Sequence, residues 1–211
     1  MFEISYRISL KWYDNFIGED GYYKMRWHDK TYGEIFPEEL DGIMGIEYLY
    51  DWFKSMTSLA LVLAEKNYAA WNDIESPCLW IEFVKKGEQL FIRLVRADKQ
   101  MKGRLDYVVH HLENIEYMDV SEQNQPINYV EFVDELLLKC GAYLKELELL
   151  NHAGQGIEEI KLLHELKSKL EKANSFPQIM REETIVAGVE SEVRQFLIDS
   201  VPEPQSESDL K

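Results

Sequence analysis

The chain has 211 residues, of which 45% are hydrophobic, and its 39 acidic and 23 basic residues give a formal net charge of −16. This length and apolar content can supply a sizeable core, which excludes disorder of the whole chain. The negative charge argues against sequence-independent binding to nucleic acid, which needs basic residues, and against binding to anionic membrane surfaces. We therefore expect neither a nucleic-acid partner nor a membrane partner. Solubility alone is the other explanation of such a charge.

Apolar and polar residues alternate at the start of the chain. The alternation runs from Phe2 to Trp12 and predicts a long strand with one buried face. After a turn rich in Asp and Gly, the alternation of Tyr23, Met25 and Trp27 predicts a second strand, paired with the first as an antiparallel hairpin. Residues 32–36 predict a short third strand that ends at Pro37.

The period of the apolar residues changes to that of a helix between Ile46 and Leu63. Residues 67–77 are predicted as a loop. Two apolar runs, 79–84 and 90–95, flank a turn at 85–88 and predict a second hairpin. Residues 105–120 fit either a strand or a helix, and we favour a strand around 112–120.

Helical patterns dominate the rest of the chain. Asn128 and Glu131 form a capping box for a helix that ends by Gly154 or Gly156. A second helix follows from Ile157 until Phe176-Pro177 interrupts it, and a last helix is predicted near 185–197. The order of elements predicts an α+β fold, in which an antiparallel sheet built from the N-terminal and central hairpins packs against amphipathic helices. We expect an α+β core domain at 1–150, a helical extension packed on it at 151–200, and a disordered tail at 201–211.

The two cysteines, Cys78 and Cys140, are too few for a disulfide framework, and each lies in an apolar run. They are predicted to be buried thiols in a reducing compartment. The N-terminal alternation lacks the continuous apolar region of a signal peptide, and the longest apolar stretch, 59–64, is too short to span a bilayer. These features predict a cytoplasmic protein.

No sequence motif identifies a catalytic site. The chain lacks a nucleophile elbow, a phosphate-binding loop and a dinucleotide-binding turn, so we assign no cofactor, no metal and no catalytic residue. His110 and His111 are adjacent and therefore point in different directions on a regular strand or helix. Catalysis by a pair of carboxylates stays open, because 39 acidic residues give no means of choosing a pair.

Acidic and basic residues are segregated along the chain. Residues 31–53 and 105–138 contain no Lys or Arg, whereas residues 85–104 are predominantly basic. Segregated charge produces a directional field that steers a basic partner. The predicted partner-binding residues are Glu34, Glu38, Glu39, Asp41, Glu47, Asp51, Glu113, Glu116, Asp119 and Glu122. The alternative is that Arg93, Arg96 or Lys102 pairs with the acids of the second window inside the fold.

Five segments follow one another over residues 1–150: Leu10-Lys-Trp-Tyr13, the Gly-Tyr-Tyr start of the second strand, Leu49-Tyr-Asp-Trp-Phe53, Leu79-Trp-Ile-Glu-Phe83 and Val130-Glu-Phe-Val-Asp-Glu-Leu136. Their layout resembles that of small acidic bacterial immunity proteins of polymorphic or contact-dependent toxin systems. The resemblance implies a non-enzymatic protein that neutralises a cognate toxin by binding it. The alternatives are a hydrolase-type enzyme that uses carboxylates or His110, and a structural or oligomeric adaptor held by the C-terminal helices.

Overall fold

The α+β fold is confirmed by a computed structural model, which describes residues 1–10, 16–41, 43, 47–72, 78–97, 107–117, 125–152 and 154–183. Within these residues the chain forms two antiparallel sheets and three α-helices. Met1–Asn174 is one compact unit, and Ser175–Lys211 is a second. The third α-helix, Ile157–Glu183, begins in the first unit and ends in the second.

The N-terminal sheet contains β1 (Phe2–Ile8), β2 (Gly21–Trp27) and β3 (Lys30–Gly33), in that order and all antiparallel. The predicted hairpin is confirmed, with Phe2 opposite Trp27 and Ile8 opposite Gly21. The prediction that β1 continues beyond Ile8 is wrong for Leu10, which is 61% exposed. β2 begins opposite Ile8, so the ladder of paired strands ends there.

The third strand lies two residues earlier than predicted. A two-residue turn, in which His28 has a left-handed φ of 53°, places Lys30 opposite Trp27. The strand ends at Gly33, whose φ is 78° and where a Cβ would collide with the carbonyl oxygen of Tyr23. Residues 34–37 then continue without regular structure into a short 3₁₀ helix, Glu38–Leu40.

The central sheet is built around the predicted second hairpin, β5 (Leu79–Lys86) and β6 (Gln89–Arg96), which is confirmed. Four more strands complete this sheet: β4 (Tyr68–Asn72), β7 (Val108–Val109), β8 (Glu116–Tyr117) and β9 (Ile127–Asn128). The strand order is β7-β4-β5-β6-β8, and β9 also pairs with β6.

The predicted loop at 67–77 is wrong for residues 68–72, which form β4, and residues 73–77 lie outside the described part of the chain. The first helix, α1 (Leu49–Lys66), ends at Asn67, whose left-handed φ of 57° turns the chain so that Tyr68 lies opposite Val84. The two alanines of β4 carry little strand propensity, so pairing with β5 rather than local sequence makes this segment a strand.

The two remaining helices are α2 (Tyr129–Leu150) and α3 (Ile157–Glu183). The predicted N-cap of α2 is confirmed, because the Asn128 side chain accepts hydrogen bonds from the main-chain N–H groups of Val130 and Glu131 at 2.8 and 3.3 Å. The predicted break at Phe176-Pro177 is wrong, because α3 continues to Glu183. A proline inside a helix removes one hydrogen bond and can bend the helix without ending it. The predicted last helix and the tail at 201–211 lie outside the described residues.

Aromatic rings form the centre of the main hydrophobic core. Phe53 of α1 stacks on Tyr143 of α2 with ring centroids 4.5 Å apart, and it packs nearly perpendicular to Tyr6 of β1 with centroids 5.2 Å apart. These contacts join the N-terminal sheet to two helices. A smaller apolar cluster involves the central sheet and contains Ala70, Trp80, Val95, Ala97 and Leu112.

The two cysteines occupy different environments. Cys140 is buried in α2, where burial raises the pKa of its thiol to about 12. Cys78 is exposed in the turn before β5, so the prediction that both thiols are buried is wrong for Cys78. Cys78 precedes the sheet, which begins at Leu79. The apolar residues Trp80 and Ile81 are buried because they lie within the strand.

Residues 151–174 lie in the same compact unit as residues 1–150, since Ile160, Leu163 and Leu170 belong to the main core. The boundaries predicted at 150 and 200 stay predictions. We expect a chain truncated after Asn174 to keep a cooperative thermal transition and the near-UV circular dichroism of the full chain. Retained far-UV signal with lost near-UV signal would show instead that residues 175–211 complete the core.

Candidate functional site

A small cavity, partly open to solvent and with room for about one water molecule, lies beside the first turns of α1. Its lining combines two carboxylates with aromatic rings and one serine hydroxyl. The lining residues are Tyr23, Glu47, Tyr48, Asp51, Trp52, Ser55, Trp71 and Tyr107. Two residues that the acidic pattern predicted as partner-binding, Glu47 and Asp51, therefore lie in one cavity.

Local structure explains why these side chains meet. Tyr48, Asp51, Trp52 and Ser55 are spaced three or four residues apart and so lie on one face at the start of α1. Glu47 is held beside β2 by paired main-chain hydrogen bonds with Gly21, at 3.0 and 2.9 Å.

Two further contacts complete the frame of the cavity. A Cβ at Gly21 would collide with the carbonyl oxygen of Arg7, so the close approach at this point requires glycine. On the other side, the main-chain N–H of Asn72 donates to the carbonyl of Tyr107 at 2.8 Å and keeps Tyr107 beside β4.

Three buried rings form the aromatic walls. Tyr23 stacks on Trp52 with centroids 4.6 Å apart, and its ring is nearly perpendicular to Trp71 at 6.1 Å. Tyr48 is 53% exposed and so connects the lining with solvent. The faces of aromatic rings carry partial negative charge and attract cations.

Two carboxylates contribute to the lining of the cavity. Asp51 forms an ion pair with Lys54 one turn further along α1, and Glu47 is the second carboxylate. Burial raises the pKa of the Tyr107 hydroxyl, and the nearby Asp51 and Tyr48 raise it further. Tyr107 therefore stays neutral at physiological pH and can donate or accept a hydrogen bond.

Asp41 is buried, unlike the other acids of its window. The Arg7 guanidinium forms an ion pair with it, Ser9 Oγ donates to it at 3.3 Å, and Arg7 Nε donates to the carbonyl of Phe36 at 2.9 Å. The hydrogen bond and the charge of Arg7 hold the pKa of Asp41 below its usual value. Asp41 thus anchors the segment that precedes it.

Glu34, Glu38 and Glu39 are exposed on the segment between β3 and Asp41, which we call the acidic segment. The segment begins beside the cavity, because the ring of Tyr32 meets Trp71 at 6.0 Å and Glu34 follows only two residues later. The first acidic window therefore supplies both the cavity carboxylates and an exposed row of acids that starts near it.

The second acidic window is placed differently. Glu113 and Glu116 are exposed, and Glu116 lies opposite Arg96 in the pairing of β6 with β8. The Arg93 guanidinium also lies over the ring of Tyr117, 4.8 Å from its centroid. Two basic residues, Arg93 and Arg96, thus lie beside this window. Asp119 and Glu122 lie outside the described residues.

One ion pair was missed by the sequence analysis. Glu82 of β5, whose side chain is 2% exposed, lies 2.6 Å from the Arg93 guanidinium of β6. The sequence contains a pattern that indicates this pair: Glu82 and Arg93 are each the one charged residue of an apolar run, and the two runs flank a hairpin turn. The hairpin register places them directly opposite each other.

The histidine pair His110 and His111 is exposed between β7 and β8. Within the described part of the chain, no group of three or more His, Cys, Asp or Glu side chains is arranged to hold a metal ion. Among the same residues, no helix combines the length and the apolar character needed to cross a membrane.

Comparison with protein-family models, with curated proteins and with solved structures finds no match to this chain. The function therefore has to be inferred from the cavity and the acidic segment themselves.

Proposed function

We propose that the protein is a non-enzymatic binding protein that holds a basic protein partner through an acidic face. The acidic face comprises the acidic segment and the two cavity carboxylates, Glu47 and Asp51. The observation that carries the proposal is that the exposed acids begin two residues after Tyr32, whose ring meets Trp71 in the wall of a small cavity lined by carboxylates and aromatic rings. Exposed carboxylates steer a basic partner during approach, and a partly buried aromatic site fixes it after contact.

Within this class, the proposed role is that of a cytoplasmic immunity protein that neutralises a cognate toxin by covering its basic active surface. The support for this narrower role is the layout of hairpins and helices over residues 1–150, together with the net charge of −16. Toxins that act on nucleic acid need basic surfaces to contact phosphates, and an acidic face complements such a surface.

The two alternative functions gain no specific support from the described residues. Glu82 is buried and paired with Arg93, so its carboxylate is poorly placed to meet a substrate. His110 is exposed outside the cavity lining. The part of α3 in the first unit packs into the main core through Ile160, Leu163 and Leu170, which occupies the apolar face that an adaptor would offer to another chain.

Affinity capture from native extract tests the proposed function. We compare the full chain with the double variant Glu34→Lys/Glu39→Lys, and with the matched control Glu65→Lys/Glu165→Lys, which makes the same charge change at exposed positions of α1 and α3. We expect the wild type and the control to capture one basic protein at low salt, and the Glu34/Glu39 variant to lose it.

Mass spectrometry identifies the captured protein, and a wash at high salt releases it if charge dominates the contact. Equal capture by the Glu34/Glu39 variant would contradict the proposal. Capture of an acidic partner only, by all three proteins, would contradict it as well.

A further inference from the structure

Residues 107–117, which we call the strap, cross the central sheet from one edge to the other. The strap begins with β7, which pairs with β4, and ends with β8, which pairs with β6. Because the strand order is β7-β4-β5-β6-β8, the residues between β7 and β8 have to pass over β5. The strand spacings from β7 to β8 add up to about 19 Å, and the chain from Val109 to Glu116 reaches about 24 Å when extended. The connection therefore has little slack.

The apolar contacts show which face of the sheet the strap covers. In β5, Ile81 belongs to the main core, whereas its neighbour Trp80 belongs to the smaller cluster together with Val95 and Ala97. Successive side chains of a strand point to opposite faces, so the smaller cluster marks the face turned away from the main core, which we call the outer face. Leu112 of the strap is buried in this same cluster. The strap thus covers the outer face, and Leu112 packs beneath it.

The two ends of the strap are held unequally. At the β7 end, Tyr107 and Val108 pack against the main core, and the carbonyl of Tyr107 accepts a hydrogen bond from the main-chain N–H of Asn72 at 2.8 Å. At the β8 end both residues are exposed, and the ring centroid of Tyr117 lies 4.8 Å from the Arg93 guanidinium. The β8 end is therefore the weaker attachment of the two.

Two hydrogen-bond donors on the outer face have no acceptor. Trp80 and Glu82 lie two residues apart on β5 and so share the outer face, and Arg93 lies opposite Glu82. The indole N–H of Trp80 and the Nε–H of Arg93 are buried there without an acceptor among the described residues. A buried donor of this kind has lost its hydration without gaining a hydrogen bond. Lifting the strap would return both donors to water, which lowers the free energy needed to open it.

We propose that the strap is a lid, which hinges at β7 and lifts at β8 while the main core stays folded. Segments with few buried contacts open locally at a lower free energy than the whole fold. The open state exposes the Trp80 indole and the Glu82–Arg93 pair, so one sheet face then offers an aromatic ring, a carboxylate and hydrogen-bond donors. The strap is not part of the acidic face, and the lid does not depend on the proposed function.

Hydrogen exchange of the full chain in D₂O tests the lid. The indole N–H of Trp80 reports on opening of the strap, and the main-chain N–H of Leu144, a buried residue of α2 in the main core, reports on unfolding of the core. ¹H–¹⁵N spectra follow both, each relative to the exchange rate of the same group in an unfolded peptide. We expect Trp80 to be protected at least about tenfold less than Leu144. Urea below the unfolding transition should reduce protection at Leu144 much more than at Trp80, because opening the lid exposes little surface.

Two matched leucine variants separate the lid from the rest of the fold. Leu112→Ala removes the buried side chain of the strap, so it should reduce protection at Trp80 by at least about tenfold. Leu136→Ala makes the same change at a buried position of α2 in the main core. It should reduce protection at Leu144 and leave Trp80 unchanged, because the lid opens with the main core intact.

Three results would overturn the lid. Equal protection at Trp80 and Leu144 in the wild type, with the same dependence on urea, would do so without any variant. Low protection at Trp80 that Leu112→Ala leaves unchanged would show that a different movement exposes the indole. An equal response of both reporters to Leu136→Ala would show that the strap and the main core unfold as one unit.

Discussion

Replacing Arg93 with methionine is expected to destabilise the protein by about 3–5 kcal/mol, because the Glu82 carboxylate would stay buried without its cation. Methionine keeps much of the length of arginine, so the loss reports the charge rather than a cavity. Equilibrium unfolding in urea, followed by tryptophan fluorescence, measures the change.

The double variant Glu82→Met/Arg93→Met separates the cost of an unpaired charge from the value of the pair. Replacing both partners of a buried ion pair with apolar residues of similar size is often neutral. We therefore expect the double variant to regain most of the stability that Arg93→Met loses. Arg96→Met on the same strand is the control: its side chain is exposed, so the change should be below about 1 kcal/mol. A double variant as unstable as the single one would contradict this account.

Replacing Asp41 with asparagine is expected to cost about 3 kcal/mol at pH 7, because Arg7 would lose its buried counter-charge. The effect should also depend on pH. The pKa of Asp41 in the folded protein lies below its ordinary value of 3.8, so its ionised form stabilises the fold above that value. That stabilisation is lost as the pH falls through the folded pKa.

The difference in unfolding free energy between the wild type and Asp41→Asn should therefore shrink as the pH is lowered below 3.8. Urea unfolding from pH 2 to pH 7 measures this difference. Glu39→Gln is the control at a nearby exposed acid, and it should change stability by less than about 0.5 kcal/mol. A difference that stays constant over the whole pH range would show that the Asp41 charge does not provide the stability.

These two expectations separate acids that support the fold from acids available to a partner. Asp41 was predicted as a partner-binding residue, yet the structure buries it beneath the segment that carries Glu38 and Glu39. Charge reversal at Asp41 would therefore disturb the fold as well as the face. Substitutions at Glu34 and Glu39 change the surface charge without breaking a described ion pair.

Sequence alone predicted the elements whose signals are local. Alternation located both hairpins, and Asn128 marked the start of α2. Strand β4 was missed because its Ala-Ala centre has no strand signal of its own and gains its structure from β5 and β7. The end of β1 at Ile8 depends on where its partner strand begins, which the alternation of β1 cannot reveal.

The candidate site was predictable only in part. The base-free window at 31–53 identified the acids, but the rings around Glu47 and Asp51 come from β2, α1, β4 and the residue before β7. No local pattern brings such distant residues together. The pairing of Glu82 with Arg93 could have been inferred from one charge in each apolar run of a hairpin. The short strand β8 lies within the segment 112–120 that the sequence favoured as a strand, but its pairing with β6, which sets Glu116 opposite Arg96, could not be read from that segment.

The central claim is that the acidic face steers a basic partner. The most direct test is the association rate constant of the captured partner with the wild type and with Glu34→Lys/Glu39→Lys, measured over a series of ionic strengths. We expect the wild-type rate to fall steeply with added salt, the variant to associate more slowly at low salt, and the two rates to converge at high salt, while the dissociation rates differ less. An association rate that is independent of salt and equal in the two proteins would contradict the claim.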